Sequence, residues 1–116
     1  MDRDTLVALC LSLPGAVEEY PFGPDTTVFK TRANNRVFAI LSADGSPVTS
    51  VTVKSHPEDA RALRAHHPAI TAGYHMNKKH WITVVLDGSV PDDLVEEIVS
   101  ESHNLVRPKT PRAPAT

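Results

Sequence analysis

Hydrophobic residues recur three or four positions apart in three stretches of the chain, and this spacing predicts three amphipathic helices. The helices are expected over residues 3–12, 57–66 and 91–106, with Ser55 placed to cap the second. Proline or glycine follows or opens each of them, as is typical of helix ends. The positions expected to face inward are Leu6, Leu9, Cys10, Ala60, Leu63, Leu94, Val95, Ile98, Val99, Ser102, Leu105 and Val106.

Alternation of apolar and polar residues predicts β-strands elsewhere. The strand-like runs cover residues 26–31, 36–42, 48–54 and 80–86. Asn34-Asn35 and Asp44-Gly45 separate the first three runs, and both pairs tolerate the left-handed backbone of hairpin turns. Residues 18–24 contain two prolines and a glycine and are expected to form an irregular loop, as is the segment leading to Gly73.

The predicted order of elements is α-β-β-β-α-β-α. Strands that are adjacent in sequence, with helices set apart, are typical of an α+β fold. We therefore expect an antiparallel sheet, made of a three-strand meander plus a fourth strand, with the helices packed on one face. Residues 1–106 are expected to form a single domain, and the basic, Pro-rich residues 107–116 are expected to form a disordered tail.

The overall composition is ordinary, and it limits the class of protein. A single cysteine, Cys10, excludes an internal disulfide and favours a reducing, cytoplasmic location. No apolar run approaches the roughly 20 residues that a membrane-spanning helix needs, so no membrane partner is expected.

Charge is distributed unevenly along the chain, although the net charge is only -2. Residues 27–84 carry eight Lys/Arg against three Asp/Glu, whereas residues 1–26 carry one Arg against five acidic residues. Residues 85–106 carry six acidic residues and no Lys or Arg. A basic middle between acidic ends favours an anionic partner.

The most distinctive segment is Gly73–Trp81, in which two lysines lie between histidines and run directly into tryptophan. In an extended chain Lys79 and Trp81 share one side, where the lysine can neutralise a phosphate and the ring can stack on a base. The alternative is that Trp81 covers a sheet edge and the lysines are simply solvated. The candidate nucleic-acid-binding residues are Lys30, Arg32, Arg36, Lys54, His75, Lys78, Lys79 and Trp81.

Other chemistries have little support in the sequence. The six histidines show no metal-ligand spacing, and no phosphate-cradling glycine loop or Gly-x-Ser-x-Gly elbow is present. Cys10 lies on the apolar face of a predicted helix, where a thiol is inert. We therefore expect no catalytic residues, no metal and no cofactor, and hence a protein that is not an enzyme.

Several motifs together resemble the MmcQ/YjbR family. They are Tyr20-Pro21-Phe22-Gly23, Val51-Thr52-Val53-Lys54, the segment Gly73–Trp81 and Leu86-Asp87-Gly88-Ser89-Val90-Pro91-Asp92. The resemblance implies a compact α+β domain, similar to frataxin (CyaY-like) proteins and to the double-wing DNA-binding domain of a phage transcription factor. It implies DNA binding by structural analogy and no catalytic residues.

Two functional hypotheses follow. The first is a nucleic-acid-binding module, for DNA or another nucleic acid, that uses a basic sheet or hairpin face. The alternative is a protein-interaction or small-ligand module around Gly73–Trp81, framed by Tyr20 and Phe22, with an acidic protein as a possible partner.

Overall fold

The computed structural model describes residues 1–42, 49–73 and 77–108. In chain order the elements are α1 (Arg3–Ser12), β1 (Ala16–Glu19), β2 (Thr26–Thr31), β3 (Arg36–Ser42), β4 (Ser50–Lys54), α2 (Pro57–His66), β5 (Ile70–Ala72), β6 (Trp81–Val85) and α3 (Asp92–Val106). The strands form one sheet in the order β1-β2-β3-β4-β6-β5, and all neighbouring pairs are antiparallel. The predicted α+β class is confirmed, and each predicted helix and strand is present within two residues of its expected bounds.

Two short strands were missed by the sequence analysis. β1 lies partly in the segment expected to be irregular and pairs with β2, and β5 lies in the segment expected to be a loop and pairs with β6. Each is three or four residues long and forms an edge of the sheet. Such strands are held by hydrogen bonds to a neighbouring strand, so their own side chains carry little pattern.

The hydrophobic core lies between one face of the sheet and all three helices. The strand register aligns Ala39, Val53 and Ile82 in one row across the sheet, and all three are fully buried. The helices close this covered face with their apolar sides, as predicted. Their buried residues are Leu6, Cys10, Ala60, Val95, Ile98, Val99, Ser102, His103 and Val106.

A β-bulge in β3 turns two consecutive side chains into the core. The register passes from Phe29 opposite Ala39 to Lys30 opposite Val37, which leaves Phe38 as the extra residue. Phe38 and Ala39 are both fully buried. The Phe38 ring lies 6.2 Å from that of Phe29 and 5.2 Å edge-on from the imidazole of His103. The burial of His103 was not predicted.

The opposite face of the sheet, called here the outer face, carries small β-branched side chains. A row across its centre contains Val28, Ile40, Thr52 and Thr83, and the last two hydroxyls lie 2.9 Å apart. None of these residues belongs to the hydrophobic core between sheet and helices. In the part of the chain that the structure describes, no helix packs on this face.

The predicted turns and caps had mixed outcomes. Asn35 adopts the left-handed conformation expected in the β2–β3 hairpin, with φ of 56°. The expected cap at Ser55 is wrong: His56 is the N-cap residue of α2, and no side chain caps this helix. Asp44-Gly45 lies outside the described residues.

The helix α3 ends at Val106, the last residue before the expected tail. Arg107 is the C-cap of α3, and its backbone N–H donates to the carbonyl of His103 at 2.9 Å. Residues 109–116, which make up the rest of the expected tail, lie outside the described part of the chain. None of the helices within the described ranges has the length and apolar character to cross a membrane.

Candidate functional site

Antiparallel pairing brings most of the predicted cations to one end of the sheet. The C-terminal ends of β2 and β4 lie beside the first residues of β3 and β6, because each neighbouring strand reverses direction. The side chains gathered there are Lys30, Arg32, Arg36, Lys54, Lys78 and Lys79, and they define the basic end. Three separate stretches of sequence therefore supply one charged border.

The two adjacent lysines lie in a tight turn that precedes β6. Asn77 holds this turn, because its side-chain oxygen accepts from the N–H of Lys79 at 2.9 Å and its carbonyl accepts from the N–H of His80 at 3.2 Å. The carbonyl of His80 in turn accepts from the N–H of Ser55 at 2.8 Å. Lys78 and Lys79 are both exposed. The prediction that Lys79 and Trp81 share one side of an extended strand is wrong, since Lys79 belongs to the turn.

Trp81 lies on the outer face at the basic end. Ile82 and Val84 are fully buried on the covered face, so Trp81 and Thr83 point to the other side, as the sequence predicted. Trp81 is half-buried and lies directly across the strands from Lys54. Its backbone carbonyl accepts from the N–H of Gly73 at 2.8 Å.

The β2–β3 hairpin is anchored and does not project as a free wing. Asn34 donates to the carbonyl of Val106 at 2.7 Å and accepts from the hydroxyl of Thr31, which ties the hairpin to the end of α3. Lys30 forms an ion pair with Glu19 at 3.1 Å. This contact neutralises much of the charge that the sequence analysis assigned to Lys30.

The other cations of the basic end are less constrained. Within the described ranges, Arg32, Arg36, Lys54, Lys78 and Lys79 form no ion pair. Four of these side chains are exposed, and that of Lys54 is half-buried. Positive charge at this end is therefore available to an anionic partner.

Acidic residues gather mainly at the opposite end of the sheet. Asp25 precedes β2 and Asp87 follows β6, while the N-terminal ammonium of Met1 lies 2.8 Å from Asp92 at the start of α3. Hydrogen bonds from Ser89 lower the pKa of Asp87, which keeps that carboxylate charged. The charge polarity along the sequence thus becomes a polarity along the sheet.

Acidic residues of α2 and α3 depart from this separation. Glu97 and Glu101 of α3 line the same cavity as Lys54 and Asp59. Glu58 and Asp59 lie in the first turn of α2, which begins just after β4 at the basic end. The buried Ala60 places α2 on the covered face. These carboxylates therefore lie beside the basic end but on the helical side of the sheet, away from Trp81.

The aromatic frame expected for a ligand pocket is not formed. Tyr20 and Phe22 lie in the β1–β2 loop at the acidic end, whereas Gly73 and Trp81 lie at the basic end. The side chains of Tyr20 and Phe22 are 50% and 75% exposed and do not pin this loop to the core. Tyr20 and Phe22 therefore do not frame a surface together with Trp81, while a protein or small-ligand partner around Gly73–Trp81 stays a prediction.

A family model named YjbR matches residues 11–105 of the chain. The protein belongs to the YjbR family. Among its relatives, Escherichia coli O157:H7 YbdF is 36% identical over 104 residues, covering 90% of this chain and 83% of that protein. Escherichia coli K12 YjbR is 33% identical over 104 residues, covering 89% of this chain and 85% of the relative. The family resemblance drawn from the motifs is confirmed.

Solved structures share the fold of this YjbR-family protein. A Deinococcus radiodurans protein with the domain DUF419 aligns with a TM-score of 0.82 at 40% identity, covering 89% of this chain and 76% of that one. A crystal structure of a Pseudomonas syringae protein aligns with a TM-score of 0.82 at 28% identity, covering 92% of this chain and all of that one.

One further cation of this YjbR-family protein lies near the basic end and was not among the predicted site residues. Arg107 follows Val106, whose carbonyl receives the hydrogen bond from Asn34 of the basic hairpin. Its side chain is exposed and donates to Asn104 at 2.8 Å. From the sequence alone Arg107 was expected in the tail, and only the contact between the hairpin and α3 reveals its position. His75 was a candidate as well, but it lies outside the described residues.

The remaining polar groups offer no built reactive centre in the described part of the structure. Cys10 is fully buried in the core, as its place on the apolar face predicted, and burial raises the pKa of its thiol to about 12. Across residues 1–42, 49–73 and 77–108, no three His, Cys, Asp or Glu side chains are placed to hold a metal ion. A cavity of about 340 Å³ separates α2 from α3. Its lining residues are Lys54, Ser55, Asp59, Leu63, Leu94, Glu97, Ile98 and Glu101.

Proposed function

We propose that this YjbR-family protein is a non-enzymatic nucleic-acid-binding module that contacts phosphates with the basic end of its sheet. The observation that carries the proposal is the convergence of Lys54, Lys78 and Lys79 with two hairpin arginines, all without ion pairs in the described ranges. Clustered cations release condensed counterions when they contact phosphates, and this release favours binding. An anionic polymer repels the acidic residues at the far end, so the basic end of the molecule turns towards it.

Phosphate contacts are expected to dominate over contacts with base edges. The exposed positions of α3 include Glu96, Glu97 and Glu101, so this helix would be repelled by the phosphates that border a major groove. α2 begins with two acidic residues and is also unsuited to that role. Binding is therefore expected to show little sequence preference.

The test is a fluorescence-anisotropy titration of labelled oligonucleotides at several salt concentrations. The logarithm of the affinity should fall linearly with the logarithm of salt concentration. Replacing Lys78 and Lys79 together by alanine should lower the magnitude of this slope by roughly 2, because two phosphate contacts are lost. Binding that does not respond to salt, or no binding at low ionic strength, would reject the proposal.

A control substitution separates a local effect from loss of net charge. Arg61 is exposed on α2, which packs on the covered face, and it is not one of the residues that define the basic end. Arg61→Ala removes one positive charge, as Lys79→Ala does, but should leave the slope nearly unchanged, whereas Lys79→Ala should lower it by about 1. Polyglutamate, added as a competitor at matched charge, addresses an acidic protein partner. Competition as strong as that of unlabelled oligonucleotide would favour a protein partner over nucleic acid.

A further inference from the structure

The outer face carries a mixed row of side chains at the basic end, and this row has a composition suited to single-stranded nucleic acid. The strand register aligns Val17, Lys30 and Val37 across β1, β2 and β3, and separately aligns Lys54 with Trp81 across β4 and β6. Lys54 and Trp81 are direct cross-strand neighbours, so their Cβ atoms lie about 5 Å apart. A cation and an aromatic ring are thus placed side by side on a sheet face.

The sheet is too broad for these side chains to contact the bases of a duplex within a groove. Six strands at about 4.8 Å spacing make a face roughly 24 Å across, twice the width of a B-DNA major groove of about 12 Å. Trp81 lies on β6, which has β4 on one side and the edge strand β5 on the other. The neighbouring strands therefore prevent Trp81 from entering a groove. Bases within a duplex also have their ring faces covered by stacking.

The β2–β3 hairpin is held against the protein body. A two-stranded ribbon is able to enter a major groove. The β2–β3 hairpin is not a separate ribbon, because β1 and β4 pair with its two strands, and Asn34 binds its tip to the carbonyl of Val106 at 2.7 Å. Duplex contact is thereby limited to backbone phosphates.

A single strand meets neither restriction, because its unpaired bases present ring faces that an aromatic side chain is able to stack on. Trp81 is half-buried, which fixes the ring while part of it remains accessible. The neighbouring side chains of Thr83 and Thr52 are short, so they leave space for a base beside the Trp81 ring. Lys54 is the cross-strand neighbour of the ring, and Lys78 is exposed in the turn that precedes β6.

We propose that the basic end selects single-stranded nucleic acid over duplex by stacking a base on Trp81, with phosphates neutralised by lysines of the same end. This inference rests on the proposed function, since it requires that nucleic acid binds at the basic end. It adds a ligand class and a specificity-determining residue.

The experiment uses the intrinsic fluorescence of Trp81, which is the single tryptophan of the chain. The full-length protein is titrated with three ligands of matched length: oligo-dT, an abasic deoxyribose-phosphate oligomer and a DNA duplex. Anisotropy of a label on each ligand reports binding, and Trp emission reports stacking. We expect oligo-dT to bind most tightly and to quench Trp81, whereas the other two bind in a salt-dependent manner without quenching.

Two substitutions of Trp81 sharpen this test. Trp81→Leu should weaken oligo-dT binding on the order of 10-fold, the size expected for loss of one stacked base, with an unchanged salt slope. Trp81→Phe, which retains an aromatic face, should keep most of the preference for single strands. Circular dichroism verifies that both variants are folded, and Trp81→Phe preserves the test should Trp81→Leu unfold.

The outcomes distinguish this inference from the proposed function. Salt-dependent binding of all three ligands with equal affinity and no quenching would overturn single-strand selection and leave phosphate binding intact. If none of the three ligands bound, both single-strand selection and the proposed phosphate binding would be overturned. Equal quenching by the abasic oligomer would also overturn the stacking role of Trp81, because that ligand has no bases.

Discussion

The hydroxyl of Ser102 accepts a hydrogen bond from the backbone N–H of Lys54 at 2.8 Å, which joins the last turns of α3 to the end of β4. The same hydroxyl donates to the carbonyl of Phe38 at 2.6 Å. The β3–β4 ladder ends at the pair Ala39 and Val53, just before the bulge. Ser102 thus satisfies the two backbone groups that the bulge leaves without a partner strand, and it fixes Lys54 at the basic end.

Replacing Ser102 by alanine should therefore lower the free energy of unfolding by about 2 kcal/mol, because a buried N–H and a buried carbonyl both lose their partner. Urea denaturation measures this change. Ser100→Ala in the same helix is the control and should alter stability by less than about 0.5 kcal/mol, since the described part of the structure shows no side-chain hydrogen bond at Ser100. Equal effects of the two substitutions would contradict the bridging role.

Gly73 is the position at which an added methyl group should disturb Trp81. A Cβ atom at Gly73 would lie 2.6 Å from the Cβ of Trp81 and 3.0 Å from its carbonyl oxygen. Gly73→Ala should lower stability by about 1–3 kcal/mol through overpacking and shift the Trp81 emission maximum. Gly15→Ala is the matched control: Gly15 has φ of 70° and would be strained, but nothing lies within 4 Å. It should reduce stability without changing the emission, and a shift in both variants would argue against a local clash.

The buried thiol of Cys10 should make the protein sensitive to alkaline pH. Burial raises its pKa from the usual 9.0 to about 12, so the folded state keeps the proton while the unfolded state releases it. This contribution to stability is complete below pH 9 and is lost as pH rises towards 12, with a slope of about 1.4 kcal/mol per pH unit.

Comparison with Cys10→Ala isolates the contribution of this thiol to the pH dependence of stability. Denaturation midpoints of the two proteins, measured at several pH values from 8 to about 10.5, should differ by a constant below pH 9 and converge above it. Parallel curves over the whole range would show that Cys10 does not titrate differently in the two states.

Asn34 should be required to hold the basic hairpin against α3. Asn34→Ala removes its bonds to Val106 and Thr31, and we expect a loss of about 1–2 kcal/mol with faster hydrogen exchange in the hairpin. Asn35→Gly provides the comparison, because Asn35 already adopts φ of 56°, a conformation that glycine favours. It should be nearly neutral. Unchanged exchange in Asn34→Ala would mean that the contact with α3 is dispensable.

Local sequence patterns predicted most of this fold because each element carries its own signal. α1 begins and ends at the residues expected, with Leu6 and Cys10 buried and Pro14 after it. Val51 and Val53 alternate with polar residues along the third predicted strand, and both are fully buried. β1 and β5 escaped prediction because three or four residues show no clear period, and they exist through hydrogen bonds to strands distant in sequence.

The candidate site was predicted in composition but not in arrangement. The lysines and Trp81 were recognisable from their residue types and spacing. The pairing of Lys30 with Glu19 was not, because it depends on β1 lying beside β2. Arg107 was missed for a similar reason, since its position follows from the contact between Asn34 and the end of α3.

By itself the sequence determined the helices, the four longer strands, the family and the uneven distribution of charge, because these depend on neighbouring residues and on composition. Tertiary structure decided that the cations meet at one end of the sheet, since this requires antiparallel strands from three separate segments to come into register. It also separated Tyr20 and Phe22 from Trp81 by placing them at opposite ends of the strands. The positions of β1, β5 and β6 in the sheet depend on pairing between distant segments, and no local pattern encodes them.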